Sequence, residues 1–356
     1  MNRKPPKSPV RPPTIRDVAD RAGVSPATVS NTLSGLRGVT GDRRRAVLEA
    51  VEALGYKSNH MASSLRRGQT RTVGIVVPNL GNEFYSGLVR QWEKIASQSG
   101  FEILVVASGE DPVTEARRIE SLIARRIDGL LVVAADDDFG SIPGFPAGLP
   151  PTVLVDRARG HLQFDTVTSD NFDAGYRGTL HLLELGHRDV TLLISSVNHA
   201  HLRDRVEGYR RALGEAGIAA SEWVVFGGGT VEGCRAAIEQ DLRRPRPPTA
   251  IFAATFYATL GAVKAINALE LDYPDEVSLL GFEHSEWMTT VRPYISAIGQ
   301  RVEELAHSAW QTLRQRISGE ATDLARVLLP FRFAMRESTR PPKSVRELAA
   351  LEAQRP

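Results

Sequence analysis

Residues 14–33 read Thr14-Ile15-Arg16-Asp17-Val18-Ala19-Asp20-Arg21-Ala22-Gly23-Val24-Ser25-Pro26-Ala27-Thr28-Val29-Ser30-Asn31-Thr32-Leu33, and the first question is what this stretch folds into. Apolar positions 15, 18, 19 and 22 recur at helical spacing and line one face. Thr14 stands where an N-cap is needed, and Asp17 three residues on completes a capping box. Gly23 stops the helix, because the tight turn needs left-handed backbone that glycine adopts without strain. Ser25 then caps a second helix, and Pro26 takes its first position, where the missing N–H costs nothing. Two short helices joined by a glycine turn, the second rich in small polar side chains, make the helix-turn-helix pattern. In that geometry the start of the second helix enters the major groove of duplex DNA. Val29 and Leu33 face inward, which leaves Pro26, Ala27, Ser30 and Asn31 for the groove. An ordinary helical hairpin has the same spacing, so other features must separate the two.

Charge is the first of them. The 356-residue chain has a formal net charge of +2, yet residues 1–71 hold 14 lysines and arginines against 5 acidic residues. A basic head on an acidic remainder is the footprint of a nucleic-acid-binding module, although taken alone it also fits an RNA-binding or membrane-surface arm. A third helix, expected over 42–54, presents Val47, Leu48, Val51 and Leu54 on one face and ends at Gly55. Arg43, Arg44 and Arg45 lie in its first turn, against the helix dipole, which suits nearby phosphates as well as a solvated cluster. Residues 1–13 form a basic, proline-rich arm, expected to be disordered and without the apolar stretch of a signal peptide. No apolar run approaches the roughly 18 residues of a membrane span. No membrane partner and a cytoplasmic location are therefore expected.

These residues resemble the LacI/GalR family. The match covers the quoted helix-turn-helix, Val47-Leu48-Glu49-Ala50 and Leu54-Gly55-Tyr56, and it continues through Asn59, Ala62, Ser64-Leu65-Arg66 and Gly68. The resemblance implies a hinge helix within 58–71 that folds on operator DNA and pairs with its copy in the minor groove. Leu65 matches the leucine that wedges into the central base step, and Ala62 the small residue beneath it. Wedge insertion unstacks the step and bends the duplex onto more protein. DNA contacts are thus expected from Thr14, Ser25, Pro26, Ala27, Thr28, Ser30 and Asn31 in the head, and from Asn59, Ala62, Leu65 and Arg66 in the hinge. Two departures stand out: Ser58 replaces the usual proline, and Asn31 replaces the common arginine or histidine. Asparagine reads adenine bidentately.

From residue 72 the pattern changes. Short apolar runs such as Val73-Gly74-Ile75-Val76-Val77 read as buried parallel strands. Strands expected at 73–78, 101–106, 128–133 and 152–156 alternate with helices at 84–98 and 114–125. The same grammar restarts at Asp170, with strands at 190–194, 222–226, 250–254 and 277–282. Such alternation specifies doubly wound α/β lobes. The expected fold is a small all-α helix-turn-helix head followed by a two-lobed α/β body with doubly wound parallel sheets. The resemblance implies the type I periplasmic-binding-protein-like arrangement, in which the chain crosses between lobes three times. The expected domains are an arm at 1–13, a DNA-binding domain at 14–57, a hinge and linker at 58–71, a body at 72–339 and a tail at 340–356. Lobe 1 takes about 72–169 plus 299–327, and lobe 2 about 170–298 plus 328–339.

Nothing in the chain reads as an acid, a base and a nucleophile brought together. Gly227-Gly228-Gly229 is neither a dinucleotide fingerprint nor a Walker loop. His199-x-His201 offers two imidazoles without a third ligand at helical spacing, so surface histidines are expected rather than a metal site. Ser195-Ser196 lacks the glycines of a nucleophile elbow. The single cysteine, Cys234, excludes an intrachain disulfide and reads as a small semi-buried helix residue. A regulator is expected, not an enzyme, with no cofactor and no metal.

Ligands bind such two-lobed folds in the crevice at the strand carboxyl ends. The resemblance implies effector contacts from Asn82, Phe84 and Tyr85 at the first lobe's edge, from Asp156 after the fourth strand, and from Arg205, whose guanidinium fork suits hydroxyls or a carboxylate. Phe256 and Glu283 complete the set, and both mark departures. Thr255-Phe256 stands where most members carry Asn-Asp, and Phe282-Glu283-His284 stands for Phe-Asp-Asp. Exchanging a carboxylate for an apolar ring removes charge-assisted bonds of roughly 1.5–3 kcal/mol each. The departures point to a small-molecule effector other than a simple sugar, more apolar, aromatic or acidic, or else to a DNA-binding protein that has lost ligand control. A homodimeric repressor is expected, because two heads on a symmetric pair match a pseudo-palindromic double-stranded operator. The tail stripe Val345, Leu348 and Leu351 is too short for a tetramerising coiled coil.

Overall fold

The computed structural model describes residues 11, 13–33, 39–56, 69–158, 163–218 and 223–345. The hinge positions Asn59, Ala62, Leu65 and Arg66 and the tail positions Leu348 and Leu351 lie outside the described residues. The chain divides into two compact units, Met1–Thr70 and Arg71–Pro356.

In the first unit α1 spans Ile15–Ala22, α2 Pro26–Leu33 and α3 Gly41–Leu54. The capping box forms, with the Thr14 N–H donating to Asp17 Oδ2 at 2.6 Å and the Asp17 N–H to Thr14 Oγ1 at 3.4 Å. Gly23, at φ 64°, ends α1 in the left-handed conformation that the turn requires. Val18, Ala19, Val29, Val47 and Ala50 form the core of this unit, with Ile15, Val24, Leu33, Val51 and Leu54 packed against it. Leu48 is a correction to the expected apolar face: it is 48% exposed, while Ala50 is buried. Positions 47, 50, 51 and 54 follow the i, i+3, i+4, i+7 stripe that a helix buries, and 48 lies one residue off it whatever its size.

The second unit carries two six-stranded sheets. The first half of the chain supplies β1 (Thr72–Val77), α4 (Glu83–Gln98), β2 (Glu102–Ala107), α5 (Pro112–Ala124), β3 (Gly129–Val132), β4 (Thr152–Val155) and β5 (Asp165–Ser169). There follow α6 (Asn171–Glu184), β6 (Val190–Ile194), α7 (Ala200–Glu215), β7 (Val224–Phe226), α8 (Val231–Leu242), β8 (Ala250–Ala253), α9 (Phe256–Ala268) and β9 (Ser278–Phe282). The chain closes with β10 (Ser296–Gly299), α10 (Val302–Ser318), β11 (Arg326–Leu329) and β12 (Arg332–Ala334). The strand orders are β11-β5-β4-β3-β1-β2 and β12-β10-β9-β8-β6-β7. Among the described strands only β12, on β10, runs antiparallel. The two-residue alternation of a strand buries β1 on both faces. Val73, Ile75 and Val77 meet α4 and α10, and Val76 meets Ile119 and Leu122 of α5. Trp92 of α4 donates its indole N–H to the Ala306 carbonyl of α10 at 3.1 Å, so the last long helix returns to the first lobe.

The chain passes between the sheets after β5, after β10 and after β11. Leu328 and Leu329, expected in the second lobe, pair instead with Thr168 and Ser169 in the first sheet, so the last crossing comes after 329. The reason is the parallel register of β11 on β5, which extends to the end of both strands. β5 itself has no apolar run to announce it. Its Asp165 is buried and satisfied by the Arg316 guanidinium, at 2.7 and 2.9 Å. Among the described residues no helix is long and apolar enough to cross a membrane.

Helices α6 and α7 touch backbone to backbone. A Cβ at Gly175 would lie 2.1 Å from the Arg205 carbonyl oxygen, and one at Gly208 would lie 2.1 Å from that of Phe172. This contact holds Arg205 against the start of α6, where its Nε donates to Asn171 Oδ1 at 2.9 Å.

Candidate functional site

Two surfaces carry chemistry, one on each unit. On the first, Ser25 Oγ accepts the Thr28 N–H at 3.2 Å and shares a 2.9 Å bond with the Thr28 hydroxyl, which caps α2. Thr32 Oγ1 turns back to the Thr28 carbonyl at 2.8 Å and is buried with Val29. The opposite side of α2 leaves Ser25, Pro26, Ala27 and Asn31 exposed, with Thr28 and Ser30 half-buried beside them. These side chains are short and uncharged, so the helix can approach base edges closely. Arg16, Arg21, Arg43 and Arg44 are exposed on the same unit, as phosphate contacts require. Thr14 is half-buried in its cap.

On the second unit a cavity of about 510 Å³ opens between the lobes and is lined from both. It gathers all seven candidate effector residues, Asn82, Phe84, Tyr85, Asp156, Arg205, Phe256 and Glu283. Asn82 caps α4, accepting the Phe84 N–H at 3.0 Å. The two carboxylates hold equivalent places: Asp156 follows β4 and Glu283 follows β9, each in left-handed backbone, at φ 66° and 73°. Non-glycine residues in that conformation are strained and concentrate at functional sites. Both are nearly buried, at 3% and 8% exposure. Burial raises the Asp156 carboxyl above its usual range and pushes Glu283 up to about 7. Gln300, at the crossing between lobes, donates to Asp156 Oδ1 at 2.9 Å and accepts from Ser169 Oγ at 2.7 Å.

Arg205 is buried beside them. Its Nη1 donates to the Ala254 carbonyl at 2.8 Å, and its guanidinium stands 3.8 Å from the Phe282 ring centroid. Burial lowers its pKa to about 10, still far above neutrality, so it remains a cation. Phe84 and Tyr85 meet edge to face at 5.2 Å, as do Phe256 and Tyr257 at 5.6 Å, giving one aromatic pair from each lobe.

Several lining residues had no sequence signal. Arg157 is buried and binds Glu110 through two hydrogen bonds, at 2.5 and 3.1 Å, and Tyr85 Oη at 2.7 Å. It also reaches across to His199 Nε2 at 3.3 Å. His199 and His201 stack at 5.5 Å in the cavity wall, contrary to the expected surface pair, and burial holds both imidazoles below their usual pKa. His201 belongs to the buried face of α7 with Leu202 and Arg205, and His199, its N-cap, meets Arg157, which spacing alone does not show. Among the described residues no group of three or more histidine, cysteine or acidic side chains suits a metal. Cys234 is fully buried rather than semi-buried, and burial pushes its thiol up to about 11. Thr255 caps α9, accepting the Ala258 N–H at 3.2 Å, which explains a hydroxyl there. The lobes are also clasped directly: Asp137 of the first lobe accepts the Ala200 N–H at 2.8 Å and an Arg203 Nη2 donor at 2.6 Å.

Comparison with known proteins covers both units. Residues 14–59 match the family model described as bacterial regulatory proteins of the lacI family. Residues 70–336 match the model for periplasmic binding proteins and the sugar binding domain of the LacI family. Catabolite control protein A of Priestia megaterium is 30% identical over 332 residues, covering 92% of this chain and 99% of the relative. A transcriptional regulator CelR solved with cellobiose is 30% identical at a TM-score of 0.68, covering 92% of this chain and 99% of that one. The lac repressor dimer, solved on operator with an anti-inducer, is 25% identical at a TM-score of 0.83 and covers 93% of this chain and all of its own. The polar face of α2, the two-lobed body and these matches lead to one conclusion: the chain belongs to the LacI family of DNA-binding bacterial transcriptional regulators.

Proposed function

We propose that the protein is a repressor that binds a pseudo-palindromic operator as a homodimer and releases or grips it according to a small molecule in the crevice. The observation that carries this reading is the cavity lined from both lobes. A ligand touching both walls binds the closed arrangement better than an open one, and only such differential affinity can shift an equilibrium. The α2 face reads bases and the hinge residues Asn59, Ala62, Leu65 and Arg66 complete the DNA contact. The relative solved as a dimer on operator supports this assembly. The reading gives the chain a regulatory role without catalysis, in the compartment that holds the DNA. A ligand other than a plain sugar is favoured because Thr255 is spent on a helix cap and Phe256 presents a ring. The relative solved with cellobiose shows that the fold itself also serves sugars.

Leu65→Ala tests the hinge. Loss of a wedge of this kind is expected to cost about 2 kcal/mol of operator binding, a roughly thirtyfold weakening. Gel retardation on a selected operator measures it, with thermal unfolding of the body as a control. Unchanged operator affinity would remove Leu65 from the interface.

A further inference from the structure

We propose that the crevice takes a ligand carrying a protonated amine, an inference that rests on reading the cavity as the effector site. Its walls hold four carboxylates, Glu110, Asp136, Asp156 and Glu283, against two guanidiniums, Arg157 and Arg205. Arg157 is committed to Glu110 through both nitrogens. Arg157 also faces the buried Asp156, more strongly than Arg205 does, and Arg205 alone faces the buried Glu283 of the other lobe, so the two guanidiniums are shared among more acids than they can neutralise. The wall therefore has more carboxylates than guanidiniums, and two of those acids, Asp156 and Glu283, are buried, where an unbalanced charge costs most.

Three further features fit a cation. The aromatic pairs Phe84–Tyr85 and Phe256–Tyr257 line the cavity, one from each lobe, and aromatic rings are suited to an ammonium. His201 lines the cavity at 7% exposure with its Nδ1 lacking a hydrogen-bond partner, and it is held neutral by burial and by Arg205 and Arg157 nearby. A neutral imidazole has one ring nitrogen that can accept an ammonium N–H. Glu283, poised near neutrality, ionises when a cation arrives. From the elements packed around it, Glu283 meets Arg205, Asp156 and Gln300, and Arg205 in turn meets Tyr85 and Arg157. An acidic effector, which the sequence alone allowed, would add to the excess instead of cancelling it.

Calorimetry of the full chain with two matched sets decides the class. One set is putrescine, butanediol and succinate. The other is glucose, glucuronate and the aminodeoxyglucose bearing its amine on the terminal carbon. In at least one set the amine is expected to bind about tenfold or more tighter than its neutral and acidic counterparts. Its binding releases protons, so affinity rises with pH, by at most about tenfold per unit, until Glu283 is ionised near pH 7. An acid would show the reverse slope. Glu283→Gln should erase both the amine preference and the pH slope. If that variant does not fold, proton release by the wild type, read in two buffers of different ionisation enthalpy, still decides. Tightest binding by a neutral or acidic probe in both sets, or binding by none of the six, overturns the proposal. Operator retardation with and without the probes runs alongside: if it is seen in either condition, only the amine class has failed, and if it is absent in both, the repressor reading fails with it.

Discussion

Arg205→Ala is expected to destabilise the body by about 3 kcal/mol or more, because two buried acceptors lose a charged donor and two buried acids lose compensating charge. The substitution strips partners from Asn171 Oδ1 and the Ala254 carbonyl and uncovers the Phe282 ring. It also leaves Glu283 buried without its cation, while Asp156 keeps Arg157 nearby. The last effect gives the prediction a sign. Burial already raises the Glu283 pKa to about 7, above its value in the unfolded chain. An acid raised in this way takes up protons on folding, so its burden on stability is absent at low pH and grows as pH rises through the folded pKa. Removing Arg205 raises that pKa further. The deficit of the variant should therefore be larger at about pH 8 than at about pH 5, on either side of the folded value. Chemical denaturation at both pH values measures it. An equal deficit at the two would mean that lost packing, not charge, dominates. Ligand response should vanish in either case, because Arg205 lines the cavity.

The second large effect lies in the same helix, and it concerns two glycines with opposite fates. Gly208→Val places a branched side chain where even a Cβ would sit 2.1 Å from the Phe172 carbonyl oxygen and 2.6 Å from the Tyr176 nitrogen. Backbone atoms cannot swing aside, so α6 and α7 must separate. Overpacking of this kind costs about 3 kcal/mol or more. Separation also draws Arg205 from Asn171, so stability and ligand binding should fail together. Gly214→Ala, six residues on in α7, meets nothing within 4 Å. There alanine should stabilise the helix by roughly 0.5–1 kcal/mol, since glycine is the poorer helix former. Thermal unfolding of the two variants beside the wild type reads the contrast. Equal behaviour would show that α6 and α7 do not touch as described.

Much of this architecture was legible because local rules and global fold agree. Thr14, Asp17, Gly23, Ser25 and Pro26 each sit where helix-end chemistry requires them, so α1 and α2 could be bounded to the residue. The apolar runs of β1, β3, β6 and β8 announced two parallel sheets because both of their faces are buried. β5 escaped notice because Asp165, Thr166, Thr168 and Ser169 are polar. Their burial is made tolerable by Arg316 and by the ladder to β11, partners more than a hundred residues away. Leu48 misled because hydrophobicity was weighed over helical phase.

The crevice was legible in part. Asp156, Arg205 and Phe84 were reached through resemblance, and the cavity does collect them. Arg157, Glu110, Gln300 and the inward turn of His199 and His201 were not, because they come from separate loops and no periodicity links them. Their meaning lies in pairing: which cation is already taken, and which acid is left over. That information exists only once the two lobes face each other.

The account stands or falls on DNA recognition. Selection of binding sites from a random duplex pool by the full chain, followed by footprinting, tests this most directly. The expected result is one pseudo-palindromic sequence, protected over two half-sites whose centres lie about 10 base pairs, or a multiple of that, apart. Protection should change when a crevice ligand is added. Binding without sequence preference, or equal binding to single strands and duplex, would contradict it.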